Sequence, residues 1–405
     1  MNKLSFSQLA YITMGQSPNG EYCGINIEGV PLLNGPAEFT EFAPVPVQYT
    51  SDPKKMSKVG DILFCVRGST TGRMNWSNQE YAIGRGLAAI THKEGKQYNH
   101  FLKYLIENYL SSLLNNTNGS TFPNLTSSLL ADFIVDVPDL PIQKEISNIL
   151  ANIDKKIELN NQINAELEAM AKTLYDYWFV QFDFPDANGK PYKSSGGKMA
   201  YNETLKREIP DGWEAKVLAD IATTGSGGTP LSSKKEYYAN GDIPWINSGE
   251  LNTPFIVSTN NFITKLGLEK SSAKLFKKNT ILMAMYGATA GKVSFIDFPS
   301  TTNQAICGIN PIDQHMNVYL KFNLERLYQY LVNLSSGSAR DNLSQDKIRN
   351  LDIVVPSHYI LSKFDGIVQG KMQLILNNIK QNQELEKLRD WLLPMLMNGQ
   401  VTVKQ

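Results

Sequence analysis

Apolar residues recur at intervals of three and four positions, and their sums, through residues 141–182. The recurring positions share one side of a 3.6-residue helix, and they are Ile142, Ile146, Ile149, Ile153, Ile157, Leu167, Ala171, Leu174 and Trp178. A stripe of this kind predicts a long helix that packs on a partner helix. Pro141 suits its first turn, where a missing N–H costs nothing. About forty helical residues extend roughly 60 Å, so the segment must connect or space something.

A second stripe of the same kind lies near the end of the chain, at Phe364, Ile367, Leu374, Leu385, Leu388 and Leu392. Each stripe follows a stretch of short apolar runs separated by Gly, Pro and Asn, which is typical of strands and turns. The sequence therefore predicts an α+β fold in five parts. They are a globular domain over residues 1–140, a long helix over 141–182, a linker over 183–205, a second globular domain over 206–356 and a second long helix over 357–405.

The two globular stretches repeat each other in sequence. Matched residues keep their order, and each lies 209 to 219 positions after its counterpart. The matches are Leu9–Ala10 with Leu218–Ala219, Gly15–Pro18 with Gly227–Pro230, Pro31 and Asn34 with Pro244 and Asn247, Ile62–Leu63 with Ile281–Leu282, Gly68 and Gly72 with Gly287 and Gly291, and Asn124–Leu125 with Asn342–Leu343. Chance does not keep both order and spacing, so we infer an internal duplication.

The apolar stripes of the two long helices are most simply buried when the helices pack against each other. A whole globular domain separates them, so an antiparallel pairing is easy to connect. This predicts two homologous globular domains at opposite ends of paired coiled-coil helices, related by a pseudo-two-fold axis. Four asparagines interrupt the middle of the stripes: Asn160, Asn164, Asn378 and Asn382. They either lie buried and fix the register of the pair or lie at its edge in water.

Composition narrows the possibilities for function. The chain has 405 residues, 39 basic and 39 acidic, so a nucleic-acid site must be a local patch rather than a basic domain. Its three cysteines and four histidines show no spacing typical of disulfides or metal sites. No apolar run reaches the length of a membrane span, and the N-terminus lacks the pattern of a signal peptide. We therefore expect a cytoplasmic protein.

Catalytic motifs are absent from the sequence. The glycine-rich run Gly287–Lys292 has three residues between its glycines instead of the four of a phosphate-binding loop, and Val293 follows the lysine. Pro210, Asp211, Glu214 and Lys216 carry the letters of a nuclease site, but their carboxylates are too close in sequence. No GxSxG or HExxH motif occurs. The chain is predicted to be non-catalytic.

The architecture resembles the specificity subunit of type I restriction–modification systems, and the likeness covers nearly the whole chain. Its most specific parts are PxQxEI at Pro141–Ile146 and IPDGWE at Ile209–Glu214. The resemblance implies that each globular domain is a target-recognition domain for one half of a bipartite DNA sequence. It also implies that the long helices are spacers that dock two modification (methyltransferase) subunits.

By the same resemblance the partners are double-stranded DNA, those two modification subunits, and restriction subunits that contain the motor and nuclease. The chain would direct adenine methylation and restriction without binding a cofactor itself. S-adenosylmethionine, ATP and magnesium are expected on the partner subunits. Because the two domains are diverged copies, we expect an asymmetric target, with loops that set the bases and helices that set the gap.

Loops with Arg, Lys, Asn and Gln side chains are the expected DNA contacts. In the first domain the candidates cluster around the Gly68–Gly72 turn and a later loop: Arg67, Arg73, Asn75, Trp76, Arg85 and Asn124. In the second domain they are Tyr286, Thr289, Lys292, Asn303, Gln304, Arg340 and Asn342. The alternative is a structural glycine turn with ordinary solvated neighbours.

Two further alternatives stay open. The chain could be a coiled-coil scaffold that tethers proteins without recognising DNA sequence. The aromatic group Tyr175, Tyr177, Trp178 and Phe179 could pack inside the protein or dock a partner.

Overall fold

A computed structural model of the chain describes residues 1–40, 43–115, 124–286, 289–334 and 343–401, with the backbone alone at 329–334. The chain forms two compact units. The N-terminal unit comprises Met1–Leu159 with Asn382–Gln405, and the C-terminal unit comprises Asn160–Gln381. Each long helix therefore contributes residues to both units.

The described part of the chain up to the end of the first long helix forms short strands and four α-helices. The strands are β1 Asn2–Ser5, β2 Ala10–Met14, β3 Cys23–Gly24, β4 Val30–Leu33, β5 Gln48–Thr50, β6 Met56–Ser57, β7 Ile62–Cys65, β8 Met74–Trp76, β9 Tyr81–Ile83, β10 Leu87–His92 and β11 Ile134–Val137. The helices are α1 Phe6–Leu9, α2 Asn99–Asn115, α3 Ser127–Asp132 and α4 Leu140–Tyr175, and α4 ends in a π-helical turn, Asp176–Val180. One sheet has the order β2-β10-β7-β8, a second has β3-β5-β4-β9-β6, and β1 pairs with β11.

The second half of the chain repeats this pattern. Its strands are β12 Met199–Asn202, β13 Arg207–Pro210, β14 Glu214–Val217, β15 Ala222–Ser226, β16 Ile243–Ile246, β17 Phe255–Ile256, β18 Phe262–Ile263, β19 Ile281–Ala284, β20 Val293–Ile296, β21 Thr301–Thr302, β22 Ile306–Pro311 and β23 Asp352–Val355. Its helices are α5 Leu218–Ile221, α6 Lys265–Glu269, α7 Asn317–Leu334, α8 Gln345–Arg349 and α9 His358–Met397. The order β15-β22-β19-β20 matches β2-β10-β7-β8, and β14 pairs with β23 as β1 does with β11. The predicted duplication is confirmed.

The central strands are buried on both faces, which explains their continuous apolar sequence. In β7, Ile62 and Phe64 belong to the core beneath the helices, whereas Leu63 and Cys65 belong to a separate core against the second sheet. This division follows from the two-residue period of a strand. In β19, Ile281 and Met283 divide from Leu282 and Ala284 in the same way.

Each unit completes its core with residues from both long helices. In the N-terminal unit, Ile146 and Leu150 of α4 join Leu396 and Met397 of α9 in the core. In the C-terminal unit Tyr175, Trp178 and Phe179 at the end of α4 are buried in the same core as Phe364 of α9. Tyr177, the fourth member of the aromatic group, is 37% exposed. Burial raises the pKa of Tyr175 to about 12.

The helices α4 and α9 are antiparallel, as the sequence predicts. In the C-terminal unit Asn160 Nδ2 donates to Gln381 Oε1 at 2.8 Å, and Asn378 Nδ2 donates to Asn164 Oδ1 at 2.9 Å. In the N-terminal unit Asn382 is also buried, and its Nδ2 lies 3.5 Å from the Ile157 carbonyl oxygen. The asparagines thus form polar contacts between the helices. Such contacts favour one register over its neighbours.

Three residues that the sequence assigns to the buried stripe of α9 lie on its outside. Ile367 is 45% exposed, Leu374 is 53% exposed and Leu388 is 43% exposed, whereas Val368 and Ile375 are fully buried. Both sets recur at seven-residue spacing, so α9 carries two apolar stripes. Periodicity alone does not tell which stripe faces the partner helix, and that part of the prediction is wrong.

Residues 183–205, whose composition is typical of a linker, pack on the C-terminal unit. The ring of Phe184 stacks between Tyr192 at 4.6 Å and Trp213 at 4.9 Å. The Asp183 carboxylate accepts hydrogen bonds from the backbone N–H and the hydroxyl of Ser194, which lower its pKa. The glycines and prolines here form turns of a folded segment.

Replacing Ile375 with alanine tests which stripe is buried. We expect Ile375→Ala to lower the free energy of unfolding by about 2–5 kcal/mol, because it leaves a cavity in the core. Leu374→Ala, at the neighbouring exposed position, is the matched control and should change it by less than about 0.5 kcal/mol. Urea unfolding followed by circular dichroism measures both values, and equal losses would contradict the assignment.

Candidate functional site

In the N-terminal unit three loops meet at one end of the β2-β10-β7-β8 sheet. The backbone N–H groups of Gly15 and Gln16, which follow β2, donate to the carbonyls of Leu87 and Ile83 at 2.8 and 2.9 Å. A Cβ on Gly15 would collide with the carbonyl oxygen of Gly84, so glycine is required for this close approach. These bonds place the Gly15–Pro18 loop against the turn between β9 and β10.

Arg67 and Asn124 come together beside these loops. They form an isolated antiparallel bridge, and the N–H of Leu125 donates to the Val66 carbonyl at 2.9 Å. Arg67 Nε donates to Asn124 Oδ1 at 3.1 Å, and both residues are exposed. The asparagine therefore orients a guanidinium group whose planar fork suits the edge of a guanine or a phosphate.

Arg85 lies at the exposed tip of the β9–β10 turn. Its backbone N–H donates to the Ser17 hydroxyl at 3.3 Å, so the tip and the Gly15–Pro18 loop hold each other. Ser17 is not among the sequence candidates, although the repeated Gly-x-Ser/Thr-Pro pattern marks it. Asn34 was also missed, and its Nδ2 donates to Gln48 Oε1 at 3.3 Å.

Two residues that the sequence predicts as DNA contacts in this unit form hydrogen bonds within the fold. Arg73 Nη1 and Nη2 donate to the carbonyls of Pro36 and Phe39 at 3.2 and 3.0 Å. Asn75 is 3% exposed, and its Nδ2 donates to the Thr40 carbonyl at 2.8 Å. Both residues hold the segment after β4 against β8. We therefore leave Asn75 out of the proposed DNA surface.

Trp76, the neighbouring candidate, is half-buried at the opposite end of this sheet. It pairs with Ile62 at the start of β7, whereas Arg67 follows the end of that strand. Its ring packs on His100, with ring centres 4.5 Å apart. The structure separates Trp76 from the Arg67 cluster.

The C-terminal unit repeats the loop framework with different side chains. The N–H groups of Gly227 and Gly228 donate to the carbonyls of Ile306 and Thr302 at 3.0 and 2.8 Å. The Thr229 hydroxyl donates to Gln304 Oε1, in the position where Ser17 meets Arg85. Gln304 is exposed at the tip of its turn.

The remaining candidates of this unit surround that framework. Asn303 Nδ2 lies 3.4 Å from Asn247 Oδ1, and Asn303 Oδ1 accepts from the N–H of Ala305 at 3.1 Å. Lys292 is exposed, and its Nζ donates to Asn252 Oδ1 at 2.7 Å. Tyr286 is half-buried against the core, and the Thr289 carbonyl accepts from the N–H of Lys292 at 3.0 Å. Arg340 and Asn342 lie outside the described residues.

Both loop clusters present hydrogen-bonding side chains on a rigid backbone. Exposed Arg, Asn, Gln and Thr groups are the types that contact base edges and phosphates. Within the ranges that the structure describes, no three His, Cys, Asp or Glu side chains come together as a metal site. No helix in those ranges is long and apolar enough to cross a bilayer.

Comparisons with known proteins agree with these features. Residues 33–169 and 210–390 match the family described as type I restriction modification DNA specificity domain. The chain is 28% identical over 455 residues to the type I restriction enzyme HindI specificity subunit of Haemophilus influenzae, covering 98% of this chain and 95% of that one. It is 29% identical over 385 residues to the MjaIX specificity subunit of Methanocaldococcus jannaschii, covering 94% and 85%.

A solved structure shares the fold. It is the crystal structure of a type I restriction–modification system S subunit from M. genitalium, with a TM-score of 0.56 and 16% identity. The match covers 98% of this chain and 96% of that one. The likeness therefore extends over both repeats and both long helices.

Alanine variants of Arg73 and Arg85 test whether the first arginine stabilises the fold and the second does not. We expect Arg73→Ala to lower the free energy of unfolding by about 1 kcal/mol, because two backbone carbonyls lose their donor. Arg85→Ala should change it by less than about 0.5 kcal/mol. Thermal unfolding of the two variants makes the comparison. A larger loss for Arg85→Ala would contradict these roles.

Proposed function

The chain belongs to the family of type I restriction–modification DNA specificity subunits, and we propose that each of its units recognises one half of an asymmetric, bipartite DNA target. Its part in such a system is recognition of DNA sequence. The observation that carries the proposal is the pair of matching loop clusters, which share their backbone hydrogen bonds and differ in their side chains.

The difference in side chains predicts two different half-sites. The N-terminal cluster presents Arg67 oriented by Asn124, and the C-terminal cluster presents Gln304 held by Thr229. An arginine fork favours the two acceptors of guanine, whereas a glutamine amide favours the donor and acceptor of adenine. Two identical clusters would favour a palindrome; these two favour an asymmetric target.

The helices α4 and α9 are proposed to set the gap between the half-sites. They contain 36 and 40 residues, so each extends about 54–60 Å at 1.5 Å per residue. Polar contacts between Asn160, Asn164, Asn378 and Gln381 hold one register. A spacer of fixed register gives a gap of fixed length.

Exposed apolar residues of α9 in each unit are the proposed docking surfaces for partner subunits. In the C-terminal unit Ile367 and Leu374 lie seven residues apart and about half exposed, and in the N-terminal unit Leu388 and Trp391 are 43% and 59% exposed. Large apolar side chains aligned on a helix favour a helical partner. We propose two modification (methyltransferase) subunits as those partners, with restriction subunits completing the complex.

Adenine methylation and restriction are the proposed reactions of those partner subunits. S-adenosylmethionine, ATP and magnesium would bind to them. The role proposed for this chain is to bring them to the target. In the scaffold alternative this chain only docks the partner subunits and does not recognise DNA. A gel-shift assay with the reconstituted complex distinguishes this alternative from the recognition proposal. A scaffold gives no shift that depends on DNA sequence.

Half-site variants test the recognition proposal directly. We expect Arg67→Ala to weaken discrimination only in the half-site of the N-terminal unit, by about 1–3 kcal/mol per base contact. Gln304→Ala is the matched change in the C-terminal unit and should affect only the other half-site. Sequencing of modified adenines in host DNA, with each variant and without the gene, measures both effects.

The outcomes of this experiment are distinct. Relaxed bases in one half-site, a different half for each variant, would support the proposal. Equal losses at both halves would assign Arg67 to a general phosphate contact. If an active host keeps all its bipartite methylation motifs without the gene, the chain is not their specificity subunit.

Insertion of one heptad tests the spacer. A heptad placed in α4 between Asn160 and Asn164, with a second in α9 between Asn378 and Gln381, keeps both helices in step. Seven residues add roughly 10 Å, or about three base pairs of gap. We expect a longer gap and unchanged half-sites, read from the same methylation data. Changed bases with an unchanged gap would contradict the spacer role. The control replaces seven exposed residues of the same helices and leaves the length of the helices unchanged.

A further inference from the structure

The N-terminal unit contains a cavity of about 600 Å³ at the end of its sheet remote from the loops. Its wall includes Trp76 of β8, His100 and Tyr104 of α2, and Asp154 of α4. Arg389 of α9 closes one side. The distance from Trp76 to the turn at Arg67 is about the length of β7, roughly 13 Å. The cavity is therefore separate from the DNA-recognition loops.

Because the two units are duplicated copies, the residues that line the cavity can be compared with the residues at matched positions of the C-terminal unit. Trp76 pairs with Ile62 across β7 and β8, and Phe295 pairs with Ile281 across β19 and β20. Helices α2 and α7 both begin with asparagine, at Asn99 and Asn317. The same offset of 218 positions matches Ile149, Leu167 and Leu174 of α4 with Ile367, Leu385 and Leu392 of α9. The matched positions are Trp76 with Phe295, His100 with Val318, Tyr104 with Phe322, Asp154 with Met372, Glu158 with Leu376 and Arg389 with Ala171.

In the C-terminal unit all of these positions are filled by buried apolar side chains. Phe295, Val318 and Phe322 are 2–4% exposed, and Ala171, Met372 and Leu376 are at most 6% exposed. All six belong to one hydrophobic core. The fold therefore accepts a closed apolar core here. The N-terminal unit instead keeps an open cavity lined with polar groups, which stabilises a fold less well than a packed core.

A lysine at one matched position shows the same contrast. In the C-terminal unit Lys321 is 1% exposed, and its Nζ contacts Glu168 at 2.8 Å and Glu325 at 3.0 Å. Its counterpart Lys103 is 19% exposed and lines the cavity, with Glu107 at 3.6 Å. Where one unit encloses the ammonium group between carboxylates, the other presents it to the cavity.

The cavity offers an aromatic platform. The rings of Trp76 and His100 lie 4.5 Å apart and are tilted by 36° to each other. Burial lowers the pKa of His100, which favours its neutral imidazole. Neutral aromatic faces of this kind stack on planar rings, as they do on unpaired bases. Tyr104 lies beside them, with Lys103 Nζ 4.2 Å from its ring centre.

The cavity also offers cations. Asp154 accepts from the Tyr104 hydroxyl at 2.6 Å and from Arg389 Nη1 at 3.4 Å, so its charge serves to hold Arg389. The wall contains four basic and three acidic residues, a net charge of +1: Lys96, Lys103, Lys155 and Arg389 with Asp154, Glu158 and Glu386. An aromatic platform beside positive groups matches a ring that carries an anionic group.

We propose that this cavity binds a nucleotide, with the base stacked on Trp76 and His100 and the phosphate near Lys103, Lys155 and Arg389. The volume is within the range of about 300–1,000 Å³ that is usual for small-molecule sites. The matched positions of the C-terminal unit are filled by buried apolar side chains of its core, so the proposed site belongs to the N-terminal unit.

Calorimetric titration of the full-length chain tests the proposal. AMP should bind one to one with a Kd below about 1 mM, and adenosine or inorganic phosphate alone should bind more weakly. A short single-stranded oligonucleotide forms a separate arm. Binding of the oligonucleotide but not of AMP would overturn the proposal of a free nucleotide.

Matched variants locate the site. Trp76→Ala and Lys155→Ala should each weaken AMP binding by about tenfold or more, whereas Lys156→Ala, one residue away and outside the cavity wall, should not. A triple variant, His100→Val, Asp154→Met and Arg389→Ala, installs the residues of the C-terminal unit. It should abolish AMP binding without a fall in the melting temperature.

Three results would overturn the proposal. They are no saturable AMP binding, undiminished binding by the triple variant, and equal losses for Lys155→Ala and Lys156→Ala. A triple variant that fails to fold leaves the decision to Trp76→Ala and the lysine pair. DNA recognition by the Arg67 cluster is measured separately, so failure of one proposal does not imply failure of the other.

Discussion

Burial of the apolar stripes of α4 and α9 is the constraint on which the rest of the structure depends. Neither helix can bury its stripe alone, and each globular unit needs side chains from both. Leu396 and Met397 complete the core that begins with Phe6 near the start of the chain. Contacts between residues so far apart in sequence make each unit depend on the whole chain. The helices are therefore structural parts of both units.

The duplication keeps the backbone and changes the side chains. Gly15 and Gly227 form the same hydrogen bond to the strand opposite them, and so do Gln16 and Gly228. A backbone held in this way tolerates almost any residue at an exposed tip, because loop residues add little to the core. Arg85 and Gln304 can differ without cost to the fold. The same backbone framework thus presents different side chains at its exposed positions in the two units.

The sequence predicts much of this architecture and less of the site. Order and spacing reveal the repeat, since glycines and buried strands keep their places. They do not reveal that Ile367 faces outward, because two stripes on one helix share the same period. They also do not separate Arg67 from Arg73, since both arginines flank one turn and only the packing of Pro36 and Phe39 distinguishes them. Phe184 illustrates the same limit, because a glycine-rich segment folds when an aromatic ring anchors it.

A sequence difference between the two copies has different consequences in the core of a unit and at its surface. An exposed loop changes freely, but a core position that turns from apolar to polar loses packing unless something repays the loss. Asp154 and Arg389 stand where Met372 and Ala171 close the core of the other copy. The two copies began with one sequence, so one of them either opened a cavity or closed it. The open cavity persists together with a tilted Trp76–His100 ring pair and an arginine that contacts Asp154. Random loss of packing would not assemble those groups around one space, whereas binding of a ligand would.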